Sequence, residues 1–413
     1  MATRQARQAA LAELTAVGWP TRRREAWRYT DLGPLAAAGF DLVPSPASSA
    51  AQGEVKRLLE TPTFGDPSRQ LVLLDGQRIP GLGVTAIAGL EVSTPETRWN
   101  AFEAEFARTI AALHYPLAAL NTAFTQHGLW LRIPAGTVAG APIHVIVVGS
   151  TRGEVAAQPR IIIEVGEGAQ ATVVQHFVDC DPHSSGWTNC VTQLKQSPTS
   201  QLELYRFQHH GEARAHTSLL AAELAAGASL TVGYFDLGGR LVRNDIHIEL
   251  RGAGARTELF GLFLAGAGQH VDDHTTISHA AGETHSRETF RGIIGSRGRG
   301  VFNGKVIVHP GCQRIDAHQS NDNLLLGEHA EVDTKPELEI YANDVKCSHG
   351  STVGELDAEQ LFYLRARGLD AAAARRLLTT AFAATVLEHI RDDALRSQAL
   401  ERVTARLASL TET

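Results

Sequence analysis

The sequence contains little of what marks secreted, membrane or disulfide-stabilised proteins. Its 413 residues include four cysteines, Cys180, Cys190, Cys312 and Cys347, which are too few and too scattered for a disulfide framework. We therefore expect reduced thiols in a cytoplasmic protein. No run of 18 or more apolar residues occurs, so no membrane-spanning helix is predicted. The first 14 residues lack the apolar core of a secretion signal.

Positive charge and nucleotide-binding loops are also scarce. The net charge is −7, and a chain without a basic excess is a poor partner for nucleic acid. No phosphate-binding Gly-x-x-x-x-Gly-Lys-Ser/Thr loop is present, and the glycine-rich run 295–300 has the wrong order for a dinucleotide loop. No Gly-x-Ser-x-Gly motif and no outstanding pair of carboxylates occurs. The sequence therefore predicts that the chain is not an enzyme, and that any ATP is bound by another subunit.

From about residue 129 to residue 340 the chain is a succession of short apolar runs bounded by Gly, Pro and Asp. Runs such as Ile143–Val148, Ala171–Phe177 and Thr257–Leu264 are rich in Val, Ile, Thr, Leu and Phe, which predicts β-strands. No helical pattern separates these strands, so an alternating βαβ fold is excluded.

A glycine-marked repeat runs through this strand-rich segment. The markers are separated by 59, 27, 28 and 29 residues, and the first step is close to twice the others. A period of this size favours a solenoid in which each coil has two strands and stacks on its neighbours. A β-sandwich with accidental spacing is the alternative. The markers are Gly168, Gly227, Gly254, Gly282 and Gly311.

The first 128 residues are predicted to be mostly helical. A helix is expected over Arg4–Val17 and a Pro/Ser/Ala-rich linker over 41–53, followed by a short helical turn near residues 55–60. Short strands are predicted at Leu71–Asp75 and Val84–Ala88, and a helical stretch interrupted by Pro116 over Thr97–Leu120. With the strand-rich core at 129–349, this leaves 350–413 as a third region.

That C-terminal region is predicted to be helical. Asp357 is expected to cap a helix that ends near Gly368. A second helix is predicted over Ala371–Leu395 and a third over Ser397–Leu407.

The second of these helices carries an apolar stripe that includes Leu377, Leu378 and Phe382. Such a stripe serves either core packing or partner binding.

Cysteine and histidine lie close together at two places near the end of the strand region. His309, Cys312 and His318 form one group, and Cys347 is followed two residues later by His349. Thiolate and imidazole together suit zinc or iron–sulfur chemistry. The spacing is poor for a closed structural zinc site, because neither cysteine has a second cysteine two to four residues away. A single Cys or His is more often a packed or surface residue. Further candidates are His209, His210, His270, His274, His279 and His285.

Three stretches of this sequence are similar to the SufB/SufD family of iron–sulfur cluster assembly proteins. The most specific is residues 344–368, which contains the run Lys-Cys-Ser-His-Gly and resembles the family's C-terminal signature. Residues 24–32 resemble the family's N-terminal motif, and residues 318–326 with 335–340 provide the third match. The Lys-Cys-Ser-His-Gly wording and the modest length resemble the SufD branch more than the SufB branch.

The resemblance implies a fold and a role. Family members have a right-handed parallel β-helix core flanked by helical N- and C-terminal domains. They pair through the β-helix with a SufB-like subunit, and each subunit binds a SufC-like ABC-type ATPase through its C-terminal helices, here with Leu377, Leu378 and Phe382. The complex assembles nascent iron–sulfur clusters, and dimerisation of the ATPase opens the interface between the two β-helix subunits.

The resemblance also implies the site. The family's interface histidine corresponds to His349 and its neighbouring cysteine to Cys347, so these two are the expected transient metal ligands. The principal cysteine is expected on the SufB-like subunit. Some complexes of the family bind reduced flavin, and no residue of this chain is assigned to it. Whether the chain forms a homodimer when its partner is missing is left open.

Two other classes of function compete with this scaffold. A β-helix enzyme that acts on polysaccharide would need clustered carboxylates and usually a secretion signal, which the sequence lacks. A stand-alone metal-binding protein would hold its metal without other subunits.

Overall fold

The middle of the chain is a column of stacked parallel strands. The computed structural model describes residues 2–42, 48–94, 115–153 and 155–411. From β8 onward successive strands alternate between two sheets, and from β9 onward each strand pairs in parallel with the strand two places earlier. The first sheet contains the even-numbered strands from β8 to β20, and the second contains the odd-numbered strands from β9 to β19. The strands are β1 Gln70–Leu74, β2 Gln77–Gly83, β3 Glu91–Ser93, β4 Gly128–Ile133, β5 Ile143–Gly149, β6 Ala156–Ala157, β7 Arg160–Val165, β8 Gln170–Asp179, β9 Gly186–Gln196, β10 Gln201–His209, β11 Arg214–Leu224, β12 Ser229–Asp236, β13 Leu241–Leu250, β14 Arg256–Ala265, β15 His270–His279, β16 His285–Ile294, β17 Arg299–Val308, β18 Ile315–Leu325, β19 Glu331–Ile340 and β20 Val345–Gly354.

The register of these strands confirms the solenoid and excludes the sandwich. Gln201 pairs with Ser229, and Ser229 pairs with Arg256, so one coil occupies about the length of the glycine period. Four of the five marker glycines, Gly168, Gly227, Gly254 and Gly311, adopt positive φ between 65° and 81° in the turns, a conformation that glycine takes without steric cost. Because strand pairing is in register, each inward position stacks on an inward position, and the buried apolar side chains form one continuous core.

Helices flank the solenoid at both ends of the chain. In the described residues they are α1 Ala2–Val17, α2 Gly33–Ala37, α3 Ser49–Leu59, α4 Pro116–Phe124, α5 Ala358–Ala366, α6 Ala371–Leu387 and α7 Asp393–Thr411. No helix among the described residues is both long and apolar enough to cross a membrane.

Several predicted boundaries in the N-terminal region were wrong. Ser48 accepts a hydrogen bond from the Ala51 N–H and caps α3, so the helix begins inside the predicted linker and exceeds a single turn. No strand covers Val84–Ala88, because Asp75 and Gly76 both take positive φ and turn the chain directly back into β2. Of the helical stretch predicted at Thr97–Leu120, residues 97–114 lie outside the described residues.

Pro116 occupies the first position of α4, which suits a residue that has no N–H to donate in the first turn. One boundary in the C-terminal region also differs from the prediction. The helix predicted over Ala371–Leu395 ends at Leu387, because His389 instead bonds to Glu258 of the solenoid at 2.7 Å.

The N-terminal motif at residues 24–32 is held on the outside of the second sheet by buried charges. The Arg243 guanidinium lies 4.4 Å from the Trp27 ring centroid and forms ion pairs of 2.7 Å with Asp245 and 2.6 Å with Asp272. Thr30 donates a hydrogen bond to Asp272. The positive charge of Arg243 holds the pKa values of both aspartates below their usual range against the opposing effect of burial.

The two C-terminal helices α6 and α7 pack on the outer face of the first sheet. The apolar side chains Val386, Ile390 and Val403 join an apolar cluster with the sheet residues Phe235 and Phe260. The first C-terminal helix, α5, contains no buried residue. It is capped by Asp357, whose carboxylate accepts from the N–H groups of the second and third helical residues.

Replacing Trp27 with alanine is expected to lower the free energy of unfolding by about 3 kcal/mol or more, because the ring is buried and covers Arg243. Chemical denaturation of the purified chain measures this. Arg28→Ala, an exposed position in the same motif, is the matched control and should change stability by less than about 0.5 kcal/mol. Equal losses in both variants would contradict the role assigned to Trp27.

Candidate functional site

The C-terminal end of the solenoid is not covered by a further coil in the described part of the chain. Strands β19 and β20 are the last members of their sheets. In β18 the inward-facing residues are buried, because β20 lies over them. No residue of β20 is buried: eight of its ten residues are exposed, and Val345 and Cys347 are half-buried. The side chains of β20 that continue the inward-facing columns of the solenoid are therefore accessible at its open end.

Cys347 and His349 are two of these side chains. They are two residues apart on one strand, which places both side chains on the same face. Their partners on β18, Ala317 and Gln319, are buried inside the solenoid, so that face is the inward one. Cys347 is half-buried and His349 is exposed. The predicted thiol and imidazole are thus together at an accessible end and not in an enclosed pocket.

The environment of Cys347 favours the protonated thiol. Partial burial raises the pKa of the Cys347 thiol, and the negative charge of Asp316 raises it further, while the N–H of Ala317 lowers it. The described residues bring no cation to oppose the first two effects. Since metals bind the thiolate, the proton must leave when a metal or an external cation arrives.

Cys312 lies in the same region but is not exposed with the pair. It is buried in an apolar cluster with Val306 and Ile315, and Cys347 packs against that cluster. Within the described ranges no group of three or more His, Cys, Asp or Glu side chains is arranged to hold a metal ion. The open end therefore offers two donors, which is fewer than a tetrahedral metal needs.

Six of the other candidate histidines contact neighbouring side chains, whereas His209 is exposed at the end of β10 and His285 is half-buried at the start of β16. His318 is on the outer face of β18, where it contacts Asp316 at 2.8 Å and Ser348 at 2.6 Å. His309 contacts Ser278 at 2.8 Å. His279 is buried between Thr284 and Ser286. His210 is buried between Asp179 and the ring of Phe177. His270 and His274 belong to the charged cluster under the N-terminal motif.

A cleft of about 960 Å³ connects the N-terminal motif with the open end. Its lining includes Trp27, His274, Lys305, Lys335 and His349. Lys335 also forms an ion pair of 2.7 Å with Glu25. Two of the three stretches that carry the family resemblance, 24–32 and 335–340, therefore meet beside His349, which is in the third.

A buried carboxylate lies inside the solenoid near this end, and no sequence motif predicts it. Glu288 on β16 faces inward and is 2% exposed. It accepts a hydrogen bond of 2.6 Å from Nε2 of Gln319 on β18. Burial raises the pKa of Glu288 to about 7, although hydrogen bonds from Thr275 and Gln319 oppose the rise. Nothing in the one-dimensional pattern separates this glutamate from those on the outer face.

The exposed apolar side chains of α5 and α6 form a second candidate surface. Phe362 on α5 is 74% exposed. Tyr363 on α5 is 57% exposed, and Leu377 on α6 is 50% exposed. Leu378 is half-buried. Phe382 packs against the solenoid, where the Arg291 guanidinium lies 4.5 Å from its ring centroid. The exposed part of the predicted stripe is therefore Leu377, continued by residues of α5.

Replacing Glu288 with glutamine is expected to stabilise the chain at pH 8. A raised carboxyl pKa means that the folded state prefers the protonated form. The contribution of the Glu288 carboxyl to the stability of the wild type is therefore lost as the pH rises from about 4.5, the usual pKa of this group, to about 7, its pKa in the folded chain. The amide has no charge to bury, so the variant should gain on the order of 3 kcal/mol over wild type at pH 8 and little at pH 4.

Denaturation at both pH values measures this difference. The exposed turn residue Glu328 provides the control variant Glu328→Gln, which should follow wild type at each pH. A constant difference between Glu288→Gln and wild type across this range would contradict the burial of a titrating carboxyl.

The comparisons with known proteins agree with this architecture. Residues 147–382 match the family model described as SUF system FeS cluster assembly, SufBD core domain. The chain is 34% identical over 406 residues to the iron–sulfur cluster assembly protein SufD of Escherichia coli (strain K12), covering 96% of this chain and 91% of that protein. It is 29% identical to an iron–sulfur cluster assembly SufBD family protein of Synechocystis sp., covering 97% and 90%. The chloroplastic protein ABCI7 of Arabidopsis thaliana is 34% identical over 59% of this chain and 52% of its own length.

These matches, which run through the solenoid and both helical regions, define the class as iron–sulfur cluster assembly proteins of the SUF system. Within that class the chain belongs to the SufBD family and is SufD-like.

Proposed function

We propose that this chain is a non-enzymatic scaffold subunit on which nascent iron–sulfur clusters are assembled, in a complex with a SufB-like subunit and a SufC-like ABC-type ATPase. The observation that carries the proposal is the half-buried Cys347 and the exposed His349 on the last strand of an uncovered solenoid end. The cluster is the cargo of this complex and not a resident cofactor.

The chemistry of the pair suits a shared site. Iron–sulfur clusters are held by thiolates, with imidazole in some cases. Cys347 and His349 supply one of each, and a second subunit that covers the end supplies the remaining donors. Covering the end also excludes water and oxidants. A cation or metal from the partner lowers the pKa of the Cys347 thiol and converts it into a ligand.

The edges of the last two strands suit a partner that pairs with them. Ile340, Tyr341 and Val353 are exposed large apolar side chains at these edges, and β20 is ten residues long. A long exposed edge with apolar residues is a template for strand addition. A SufB-like solenoid occupies this end in the proposal, and a second copy of this chain takes its place when that partner is missing.

The surface formed by Phe362, Tyr363 and Leu377 is the proposed docking site of the ATPase subunit. Leu378 lies beside it, and Phe382 supports it from beneath by packing on the solenoid. Exposed aromatic side chains on a helix are frequent anchors of protein interfaces. No residue of α5 is fully buried in the described structure, so a partner accounts for the exposed Phe362 and Tyr363.

The stand-alone metal-binding function is the weaker candidate, because the open end has two donors and the described residues hold no group of three. A polysaccharide-acting enzyme does not fit a member of the SufBD family. Reduced flavin enters no step of the proposal, since no group of side chains here marks a site for it.

Replacing His349 with alanine is expected to reduce cluster assembly about tenfold or more while leaving the isolated fold intact, because the side chain is exposed and its loss removes one donor. Cluster formation is followed by absorbance in a complex reconstituted with iron, a sulfide source and ATP. His318→Ala, on the outer face of the neighbouring strand, is the control and should assemble clusters normally. Normal assembly by the His349 variant would contradict the proposal.

Replacing Phe362 with glutamate is expected to weaken binding of the ATPase subunit by about tenfold or more, since a charge would be buried in the interface. Leu377→Asp should act in the same direction. Leu400→Asp places a charge on an exposed leucine of α7 and serves as the control. Isothermal titration of the ATPase subunit measures all three. Unchanged affinity in both test variants would move the interface away from α5 and α6.

A further inference from the structure

A column of three polar side chains runs from the interior of the solenoid to its open end. Glu288 pairs with Gln319 across β16 and β18, and Gln319 pairs with His349 across β18 and β20. All three occupy the same inward position in consecutive coils. One step deeper, the column continues with the fully buried Leu259. The glutamate is therefore the innermost polar member.

The buried carboxylate has no ion-pair partner in the described part of the chain. Burying a carboxyl in an apolar core is costly unless it is paired or hydrogen-bonded. The hydrogen bond that it accepts from Gln319 Nε2 offsets part of this cost. Replacement of both side chains by apolar residues would pack more simply, so the pair calls for a reason beyond packing.

The carboxylate fixes the orientation of the Gln319 amide. Above its pKa of about 7 the Glu288 carboxylate is ionised and only accepts hydrogen bonds, so the NH2 group of Gln319 faces Glu288 under the alkaline conditions of the test below. The amide oxygen Oε1 is then turned away from Glu288. This oxygen is buried and has no hydrogen-bond partner among the residues that the structure describes. The next side chain in the column, on its outward side, is His349.

The backbone of the opposite sheet leaves room for this amide. A Cβ atom on Gly304 of β17 would clash with Nε2 and the amide carbon of Gln319. Gly304 does not take positive φ, so the glycine is not required by the turn chemistry of the chain. Its absence of a side chain keeps the Gln319 amide in the column.

We propose that Glu288 and Gln319 position His349: Gln319 Oε1 accepts a hydrogen bond from one ring nitrogen of His349 and leaves the other nitrogen free as the metal ligand. Ligating histidines commonly donate their second ring N–H to such a partner, which fixes the tautomer and the ring orientation. This inference rests on the proposed function for its purpose, but the tautomer can be measured without any cluster. Glu288 and Gln319 are positioning residues in this scheme.

The test uses the full chain with 15N-labelled histidine. Long-range 1H–15N spectra at about pH 9, where imidazole is neutral, report which ring nitrogen carries the hydrogen, and the His349→Ala variant identifies the signals of His349. Wild type should show one dominant tautomer. Gln319→Leu should change the ratio of the two tautomers about tenfold, which is what one net hydrogen bond supplies.

Two further variants separate positioning from packing. Gly304→Ala leaves all three polar residues in place but displaces the amide, so it should also change the ratio. Asn323→Leu removes a similarly buried amide from the same strand, in a column that ends at Val353 instead of His349, and should leave the signals of His349 unchanged. Glu288→Gln keeps an acceptor for Gln319 and should retain the dominant tautomer.

The outcomes distinguish this inference from the proposed function. Unchanged His349 signals in both Gln319→Leu and Gly304→Ala would overturn the inference, whatever the cluster assays show. Normal cluster assembly by Gln319→Leu despite a changed tautomer would also overturn it, because positioning predicts about a tenfold or larger loss. Normal assembly by His349→Ala would overturn the proposed function while the tautomer result stands.

Discussion

In a parallel solenoid each inner coil is covered by the coil before it and the coil after it, so the last coil lacks cover on one side. This constraint decides where the chain can be both ordered and accessible. The inward residues of β18 are buried because β20 pairs with them in register, whereas the same positions of β20 have no following strand in the described residues. Cys347 and His349 are therefore held by regular strand geometry and still reach the outside.

In the proposed function the open end supplies half of a site, and the raised pKa of the Cys347 thiol disfavours metal binding by that half alone. The thiol of Cys347 has a raised pKa, and only two donors face outward together. A free subunit with these properties would bind metal weakly. It would therefore bind little iron in the absence of its partner, and its thiol, being protonated, would resist oxidation. In the proposed scheme Glu288 and Gln319 do not add metal ligands. They determine which ring nitrogen of His349 is available to a metal, and so the rate at which the site binds metal once a partner supplies the remaining donors.

Much of the fold could be predicted from the sequence, since the glycine spacing reports the coil length and the apolar runs report the strands. The Cys347–His349 pair could be predicted from its motif and from the two-residue period of a strand. The ends of helices were less predictable: α6 stops at Leu387 because tertiary contacts of His389 compete with helix propensity. The Glu288–Gln319 column could not be predicted, because residues 31 apart become neighbours only once the exact register is known.

The same register connects the two proposed partner surfaces. Helix α6 packs against β14 and β16, and Arg291 of β16 both donates to the Phe382 carbonyl at 2.7 Å and lies over the Phe382 ring. β16 is also the strand that carries Glu288, and it pairs with β18, which pairs with β20. A displacement of α6 by a partner bound to Phe362 and Leu377 therefore acts on the strand that anchors the column beneath His349. Since packed interiors resist compression and transmit strain, a movement imposed on these helices by the proposed ATPase partner would have a short physical route to the open end.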